Sequence, residues 1–231
     1  YPVFDFDTTG NKTNTQITEW NGSSTVPNIT KDETGNEIYL ITTPEEFFWF
    51  VNDRTSPTKV GQLENDIIFG KDSLSVNSKL TKFSGNYSFS GTLLGNGHTV
   101  YGINSSTPLF DEIYNNSVIL NLTIANSIFE SVKNIAAIAE TNFGNIIQTT
   151  IKNSVVKSGN YAGGLTVQSN GTGIMRQCSN INTTVYGKNT AGGITAISTQ
   201  TISYAYNSGN ISGHSDIISL ESLCGLTVNR K

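Results

Sequence analysis

The phrase Ala162-Gly163-Gly164-Leu165-Thr166 returns almost unchanged, 29 residues later, as Ala191-Gly192-Gly193-Ile194-Thr195. Weaker copies occur elsewhere, so that the apolar residue of the phrase recurs at Leu109, Ile138, Leu165, Ile194 and Leu226. A second apolar series has a constant spacing of 28 and consists of Val118, Ile146, Ile174 and Ile202. Two series with one shared period indicate a repeat architecture.

Each period contains three short β-like patches separated by Gly, Asn or Ser. In the best-preserved copy these patches are 164–167, 173–178 and 183–187. Three strands and three corners per period are typical of a parallel β-helix, whose coils stack at about 4.8 Å. The sequence therefore predicts an all-β fold, a right-handed parallel β-helix with triangular coils of about 28 residues and a short N-terminal capping helix. The hand follows from the general preference of parallel crossover connections.

The clearest helix signal lies ahead of the repeats, at residues 43–53. Thr43 suits the N-cap, Pro44 suits the first helical position, and Glu46 completes a capping box. The apolar residues that follow at helical spacing are Phe47, Phe50 and Val51. We expect this face to cover the open end of the solenoid. An aromatic binding surface built on Trp49 is the alternative.

These signals divide the chain into three regions: an extended N-terminal arm (1–35), an N-terminal cap and lead-in with strand, helix and strand (36–82), and the parallel β-helix (83–231). The arm has few apolar residues, so it is either a disordered leader or a segment that docks on the body or on a neighbouring subunit. The chain begins at Tyr1 without a signal-like stretch, which suggests a removed targeting segment or a fragment of a longer protein.

Composition excludes several classes of partner. Charged residues make up 14% of the chain and the net charge is −4, so nothing favours nucleic acid or an anionic membrane. No apolar run approaches 18 residues, and the sequence predicts no membrane span. The two cysteines, Cys178 and Cys224, fall at different phases of the repeat. We expect two buried free thiols and no disulfide between them.

No cluster for catalysis or metal binding is recognisable in the coil region. Its acids are Asp111, Glu112, Glu130, Glu140, Asp216 and Glu221. Its basic residues include Lys152, Lys157, Arg176 and Lys188. In neither set do two residues stand at recognisably equivalent positions of successive repeats, where their side chains would face one groove. His98 and His214 lack a second ligand at metal-binding spacing. We therefore predict no catalytic, cofactor-binding or metal-binding residue, no cofactor, and a protein that is not an enzyme.

Asparagine is abundant, and ten Asn-x-Ser/Thr sequons are candidate N-glycosylation sites if the protein is secreted by a eukaryote. They lie at Asn11, Asn21, Asn28, Asn86, Asn104, Asn115, Asn121, Asn170, Asn182 and Asn210. The competing use of asparagine is an interior ladder, because stacked amides can hydrogen-bond along a solenoid.

The stretch Phe89-Ser90-Gly91-Thr92-Leu93-Leu94-Gly95-Asn96-Gly97-His98-Thr99-Val100-Tyr101-Gly102-Ile103 closely resembles the opening coil of surface proteins that carry GLUG repeats. The later Ala-Gly-Gly phrases look like degenerate GLUG motifs, although the pair is weak at Ala136-Ala137 and at Cys224-Gly225. In that family a strand, Thr-x-Glu-Glu and a helix commonly precede the first coil, as residues 38–52 do here. The resemblance covers roughly 38–228. It implies a right-handed β-helix at the cell surface or outside the cell, and it implies no reaction.

The last strand-like stretch, 224–228, lies three residues from the end of the sequence. We expect its edge to be completed by the rest of a longer solenoid, by the N-terminal arm, or by a neighbouring subunit in a head-to-tail contact. Arm donation is attractive because Val3-Phe4-Asp5-Phe6 is strand-like. The candidate assembly contacts are Val3, Phe4, Phe6, Leu226 and Val228.

Three functions are compatible with these features. The leading one is a non-enzymatic extracellular structural protein, a β-helical building block of a surface fibre or large adhesin that assembles with copies of itself. The second is a carbohydrate-binding adhesion module that uses exposed tyrosines, namely Tyr161, Tyr186, Tyr204 and Tyr206. The third is a polysaccharide lyase or hydrolase, a class that is common among parallel β-helices.

Overall fold

A computed structural model describes residues 18–53, 55, 58–83, 88–213 and 219–221. The described chain is nearly all β-structure, with one short helix. Its parallel coils stack into a β-solenoid of about five turns, with about 27 residues per turn. The prediction of a parallel β-helix with a short N-terminal helix is confirmed. No helix in the described ranges is long and apolar enough to cross a bilayer.

The N-terminal end consists of a hairpin, the helix and three lead-in strands. In chain order they are β1 (Asn28–Lys31), β2 (Glu37–Ile41), α1 (Pro44–Asn52), β3 (Val60–Leu63), β4 (Ile67–Ile68) and β5 (Ser88–Phe89). The Thr43 hydroxyl accepts from the Glu46 N–H, and the Glu46 carboxylate accepts from the Thr43 N–H, so both halves of the predicted capping box form. Phe47, Phe50 and Val51 are fully buried.

Five coils follow. Coil 1 contains β6 (Thr92–Leu94), β7 (Thr99–Tyr101), β8 (Asn104–Ser105) and β9 (Phe110–Ile113). Coil 2 contains β10 (Val118–Leu120), β11 (Thr123–Ala125), β12 (Ile128–Ser131), β13 (Ile135–Ala136) and β14 (Ala139–Asn142). Coil 3 contains β15 (Asn145–Ile147), β16 (Thr150–Lys152), β17 (Val155–Ser158), β18 (Tyr161–Gly163) and β19 (Thr166–Ser169).

Coil 4 contains β20 (Ile174–Arg176), β21 (Ser179–Ile181), β22 (Thr184–Gly187), β23 (Thr190–Gly192) and β24 (Thr195–Ser198). Coil 5 contains β25 (Thr201–Ser203), β26 (Tyr206–Asn207), β27 (Ile211–Gly213) and β28 (Ser219–Glu221). Equivalent strands pair in parallel and form five sheets. Each of coils 2–4 therefore has five strands. The predicted patches 164–167, 173–178 and 183–187 overlap β19, β20 and β22, whereas the three-residue strands β18 and β21 were not predicted.

The first predicted apolar series is confirmed over four coils. Leu109, Ile138, Leu165 and Ile194 are fully buried, and backbone hydrogen bonds join Ile138 to Leu165 and Leu165 to Ile194. Its last member, Leu226, lies outside the described residues. Ala191 is paired with Leu220, three residues earlier than the predicted spacing of 32 would place its partner.

The second predicted series is wrong by one residue at two of its four positions. The inward rungs are Leu93, Ile119, Ile146, Met175 and Ile202. Val118 and Ile174 occupy the neighbouring outward positions and are only half-buried. The error arises because the spacing between rungs is not constant: it runs 26, 27, 29 and 27. A one-residue shift moves a strand side chain to the opposite face.

Two corners of coils 2–4, and the first corner of coil 5, are made by a residue with positive φ followed by a side chain that points inward. The first corner has Asn121, Gln148, Gln177 and Tyr204, and the second has Asn126, Asn153 and Asn182. Asparagine is one of the few residues with a side chain that readily adopts this conformation. Much of the asparagine in the coils therefore serves the turns.

Hydroxyl groups stack behind the second corner. The Ser127 hydroxyl accepts from the Ile103 N–H (3.0 Å), the Ser154 hydroxyl from the Ser127 N–H (3.0 Å), and the Thr183 hydroxyl from the Ser154 N–H (3.1 Å). All three hydroxyl-bearing residues are buried. Each bond joins two coils, so these side chains satisfy backbone donors that the corner would otherwise leave without a partner.

The Ala-Gly-Gly phrase forms a tight inward corner. A Cβ at Gly163 would lie 1.7 Å from the Thr166 carbonyl oxygen, and one at Gly192 would lie 1.9 Å from that of Thr195. Ala162 and Ala191, by contrast, point into the core and are fully buried. The phrase is therefore structural, because only glycine fits where the backbone folds back on itself.

The part of the predicted arm that the structure describes lies against the body. Trp20 is 4% exposed and packs on Phe48 and Phe69, with ring centroids 4.9 and 5.1 Å away. Its backbone N–H donates to the Phe69 carbonyl, its indole N–H donates to the Ser23 carbonyl, and its own carbonyl accepts from the Asn77 amide. Strand β1 pairs in antiparallel orientation with β2. Residues 18–31 thus cover the same end of the solenoid as α1.

Candidate functional site

An open groove of about 310 Å³ runs along one side of coils 2–4, and we call it the lateral groove. It is lined by Glu130, Ser131, Val132, Lys157, Ser158, Gly159, Tyr186 and Lys188. These residues come from β12, β17 and β22 and from the turns that follow these strands. The stacking of coils thus assembles equivalent positions that are 27 or 29 residues apart in adjacent coils, and residues as far apart as Glu130 and Lys188.

The centre of the groove is a column of outward side chains. Glu130 is paired with Lys157, and Lys157 is paired with Tyr186, in the parallel ladder of this sheet. The Lys157 ammonium donates to the Glu130 carboxylate at 2.6 Å, with both side chains about half exposed. The hydrogen bond and charge of Glu130 raise the pKa of Lys157. The pair is exposed to solvent, so its contribution to folding is small.

The floor of the groove is backbone. A Cβ at Gly159 would lie 2.4 Å from the Val132 carbonyl oxygen, so any side chain there would force the two coils apart. The Gly159 N–H donates to the Ser131 carbonyl, and the Lys188 N–H donates to that of Ser158. These bonds hold adjacent turns in contact, and the Val132 side chain stands beside them with 88% of its surface exposed.

A ladder of three asparagines lies next to the groove, at the start of the following strands. The Asn160 amide donates to the Asn134 side-chain oxygen at 2.8 Å, and the Asn189 amide donates to that of Asn160. An asparagine ladder was one of the predicted alternatives, but this one lies at the surface and is half-buried to exposed. None of its members belongs to a sequon. In the interior, Asn180 and Asn207 occupy adjacent rungs.

The charge around the groove is opposite to that of the whole chain. Lys157 and Lys188 line it and Lys133 lies beside it, against the carboxylate of Glu130 in the groove and that of Glu140 beside the asparagine ladder. The chain as a whole carries a net charge of −4. Lys157 and Lys188 occupy different positions of the repeat, as the sequence interpretation held, but both line the groove, which it did not predict. The signal was available in the spacings of 27 and 29 that separate Glu130, Lys157 and Tyr186, since both match the repeat.

The four tyrosines proposed as a binding surface do not share one face. Tyr186 lines the groove, and half-buried Tyr161 packs on the small cluster of Ala136, Val167 and Ala196. Tyr204 and Tyr206 are 84% and 57% exposed and belong to the corner between β25 and β26. Among these tyrosines, the structure therefore connects Tyr186 with the groove.

Two of the acids share a phase, in contrast to the sequence interpretation. Phe110 pairs with Ala139 and Glu112 with Thr141, which places Asp111 and Glu140 at equivalent positions of adjacent coils. Their spacing of 29 equals the repeat. The Glu140 carboxylate accepts from the Asn134 amide at 2.9 Å.

The remaining candidate ligands and thiols are accounted for as follows. Nδ1 of His98 lies 3.4 Å from the Asp66 carboxylate, and His214 is outside the described residues. Across the described ranges, no three His, Cys, Asp or Glu side chains are close enough to hold a metal ion.

Cys178 is a buried free thiol, as predicted, and burial raises its pKa to about 12. Cys224 lies outside the described residues.

The sequons differ in exposure. Those that are exposed are Asn21, Asn28, Asn115, Asn121, Asn182 and Asn210. Asn104 and Asn170 are half-buried; the Asn104 amide donates to the Asn77 carbonyl, and the Asn170 side chain accepts from the Thr199 hydroxyl. Asn11 and Asn86 lie outside the described residues. All ten remain candidates for glycosylation.

A second charged cluster holds the cap together. The Lys59 ammonium, with no exposed side-chain surface, donates to the Asp53 carbonyl at 2.6 Å and to its carboxylate at 3.0 Å. It also lies 5.2 Å from the Trp49 ring centroid and 5.0 Å from that of Phe50. Lys59 therefore binds the end of α1 through the Asp53 carboxylate, the Asp53 carbonyl and the faces of the Trp49 and Phe50 rings. Trp49, packed in this way, belongs to the cap.

The predicted assembly contacts Val3, Phe4, Phe6, Leu226 and Val228 all lie outside the described residues. The chain matches no protein-family model, and comparison with curated proteins and with solved structures found no significant match.

Proposed function

We propose that this chain is a non-enzymatic structural protein of the cell surface or the extracellular space. In this proposal it is a rigid β-solenoid unit of a fibre or large adhesin, of the kind to which GLUG-repeat proteins belong. The observation that carries the proposal is one continuous sheet of eight strands, which runs from β1 and β2 through every coil to β25. Such a sheet has a length on the order of 30 Å.

Rigidity is supported by links that repeat from coil to coil. The backbone ladders, the buried hydroxyl stack of Ser127, Ser154 and Thr183, and the asparagine ladder each connect neighbouring coils. In a solenoid each repeat contacts only its neighbours, so stability depends on these nearest-neighbour links. Independent links of three kinds favour a rod that transmits force or holds a fixed distance.

Assembly with other copies is supported by the difference between the two ends. One end is covered by α1, by β1 and by the Trp20 segment. Among the described residues, the outermost strands at the other end are β24–β28, and the rungs Ile202, Ala205 and Ile211 are only half-buried there. Half-exposed rungs above strand edges that have no partner within the described part of the chain suit the addition of a further strand or coil. We propose a head-to-tail contact, with the arm as a candidate donated strand.

The experiment compares the chain of residues 1–231 with one that lacks residues 1–17. The shorter chain keeps Trp20 and its contacts with the cap, so the fold is retained. Electron microscopy of the longer chain should show filaments, and the truncated chain should remain monomeric with an unchanged circular dichroism spectrum. A full-length variant with Phe4→Asp and Phe6→Asp is the matched control and should behave like the truncated chain.

Filaments of the same repeat from all three proteins would exclude arm donation. Immunogold labelling of source cells tests the location independently. Label confined to the cell interior would contradict the surface role.

A further inference from the structure

We propose that the lateral groove binds an acidic saccharide chain, with an anionic sugar substituent at Lys188 and a sugar ring against Tyr186. This inference does not depend on the structural role proposed above, since a rigid solenoid and a free module would both present the groove. The sequence interpretation offered a carbohydrate-binding module on four tyrosines as an alternative, and the groove adds to it a place on the solenoid and a charge class of ligand. The argument rests on its charge, its size and the arrangement of its side chains.

Charge selects an anion. Three lysines, Lys133, Lys157 and Lys188, lie in or beside the groove. Two carboxylates oppose them, Glu130 within the groove and Glu140, which accepts from the neighbouring Asn134 amide. The rest of the chain is acidic enough to give a net charge of −4. A locally positive groove on an acidic protein attracts an anion to that place and repels it elsewhere. Lys188 is exposed, and no described residue supplies a hydrogen bond or ion pair to its ammonium group. It is therefore ready to bind a carboxylate or sulfate.

Size distinguishes a saccharide from a folded protein partner. A volume of about 310 Å³ is at the lower limit of small-ligand sites, which enclose roughly 300–1,000 Å³. A stable protein–protein interface instead buries about 800 Å² of each partner, far more than eight groove residues provide. One or a few sugar rings match the groove better.

The lining combines one aromatic ring with polar groups. Tyr186 is half-buried, so its ring is held in place while one part remains accessible. The ring gives an apolar surface of the kind that packs against the C–H face of a sugar, and the phenol adds a hydrogen-bonding group. Lys157 and Glu130 are already held in a fixed geometry by their 2.6 Å hydrogen bond. Together they offer a donor and an acceptor to sugar hydroxyls at little further entropic cost.

The asparagine ladder extends this surface along the solenoid. Asn134, Asn160 and Asn189 present one side-chain amide per coil, at intervals of about 4.8 Å. A linear polymer lying parallel to the solenoid axis would therefore meet a polar group at each coil. A single small anion would gain nothing from such a row. The repeated arrangement favours a chain of sugars over an isolated phosphate or carboxylate.

The experiment measures binding of defined oligosaccharides to the chain of residues 1–231 by isothermal titration calorimetry. The probes are an oligogalacturonate, a sulfated glycosaminoglycan fragment of similar length, a neutral oligosaccharide of the same length, and a short polyglutamate peptide. We expect saturable binding of at least one acidic saccharide. The neutral oligosaccharide should bind at least about tenfold more weakly, the factor that corresponds to one ionic contact. The two acidic saccharides distinguish a carboxylate ligand from a sulfate ligand.

Matched variants locate the site. Lys188→Glu changes the charge within the groove, and Lys152→Glu makes the same change on an exposed residue of the neighbouring sheet. Tyr186→Ala removes the groove ring, and Tyr206→Ala removes an exposed ring from a different corner. The groove variants should each weaken binding about tenfold or more, whereas the control variants should change it by less than about twofold. Circular dichroism confirms that each variant is folded. Lys188→Glu, at an exposed position, still tests the site if Tyr186→Ala does not fold.

Three results would overturn the proposal. The first is that no acidic saccharide binds saturably. The second is that Lys188→Glu and Lys152→Glu weaken binding equally, because binding would then reflect overall charge. The third is that polyglutamate binds as tightly as the acidic saccharides, since the groove would then recognise an acidic peptide.

Discussion

The two ends of the solenoid share one register but have different interiors. At the N-terminal end the core is aromatic, and its fully buried rings are Phe47, Phe50, Phe69, Phe83, Phe89 and Phe110. In coils 3 and 4 the corresponding space holds small and polar residues, among them Thr166, Ser169, Cys178, Asn180 and Thr195. The first region is stabilised mainly by buried aromatic area, whereas the second combines aliphatic rungs such as Ile146 and Leu165 with hydrogen bonds that satisfy buried polar groups.

Coils of the same shape can therefore be filled by different kinds of interior side chain. The aromatic rings fill the end that α1 and Trp20 close, where neighbouring rings meet at centroid distances of 4.5 to 6.5 Å. In the later coils, by contrast, the Thr166 and Ser169 hydroxyls lie 2.8 Å apart, and the Gln200 amide bonds carbonyls of two other coils. The two regions should therefore respond differently to loss of size and to loss of a hydrogen bond.

The largest effect is expected from Phe89→Ala. Phe89 stacks on Phe110 at 4.5 Å and meets Phe50 edge-on at 6.1 Å, so its loss opens a cavity between the cap and coil 1. We expect a loss of about 4 kcal/mol in the free energy of unfolding. Val185→Ala in coil 4 is the matched control and should cost about 2 kcal/mol, because a smaller side chain is removed. Urea unfolding measures both, and equal losses would contradict the distinction between the two cores.

The second prediction concerns the charge inside the aromatic region. Asp53→Asn removes the carboxylate that faces the buried Lys59 ammonium, and we expect a loss of about 3 kcal/mol. Adding Lys59→Met should recover most of that stability, since the aliphatic side chain can pack on the Trp49 and Phe50 rings. A double variant as unstable as Asp53→Asn alone would show that Lys59 acts through something other than its charge.

The same pair gives a pH dependence. Burial opposes ionisation of Asp53, but hydrogen bonds from Thr55 and Lys59 outweigh it, so that its pKa is lower than the ordinary 3.8. The stabilisation is therefore present above about pH 4 and is lost as the pH falls through the lower, folded-state value. Burial lowers the pKa of Lys59, so stability should rise with pH towards 10.5. Thermal unfolding against pH should show both slopes, and Asp53→Asn should reduce the acidic slope, to which Asp32 and Asp72 also contribute through their lowered pKa values.

Ser154→Ala tests the hydrogen-bonded stack behind the second corner. Its hydroxyl accepts from the Ser127 N–H and donates to the Lys152 carbonyl, and the change leaves a buried N–H without that partner. We expect a loss of about 2 kcal/mol, although only one oxygen atom is removed. Ser131→Ala, at a half-buried groove position, should change stability by less than about 0.5 kcal/mol. Similar effects for the two serines in chemical denaturation would argue against the stack.

The smallest effect is expected at the left-handed corners. Tyr204 adopts a φ of 53° where the earlier coils have Asn121, Gln148 and Gln177. Tyr204→Asn should therefore stabilise the protein, by about 0.5 kcal/mol. Asn153→Ala, at the second corner, should destabilise it by about 1 kcal/mol. The sign of the two changes in melting temperature is the test; a loss of stability in Tyr204→Asn would show that its ring has a role at the surface.

The sequence predicted the parallel β-helix, the helix with its capping box, and one apolar series, because each depends on signals that are local or strictly periodic. It placed two of the four members of the second apolar series one residue away from the inward rung, and it did not predict the lateral groove. Both failures have the same origin: the spacing between rungs varies from 26 to 29 residues, so a constant period assigns some residues to the wrong face. The spacing of Asp111 and Glu140, and that of Glu130 and Lys157, became meaningful only within the true register.

The sequence by itself therefore determined the period, the cap helix and the glycine corners, since backbone geometry and side-chain volume dictate these one coil at a time. Only the tertiary structure decided that Glu130, Lys157 and Tyr186 form one column beside Lys188, and that residues 18–31 close the aromatic end. Those arrangements depend on which coil lies above which, and on where each strand begins. The order of the coils and the start of each strand are both fixed by how the coils stack, because contacts between coils join residues nearly thirty positions apart in the chain.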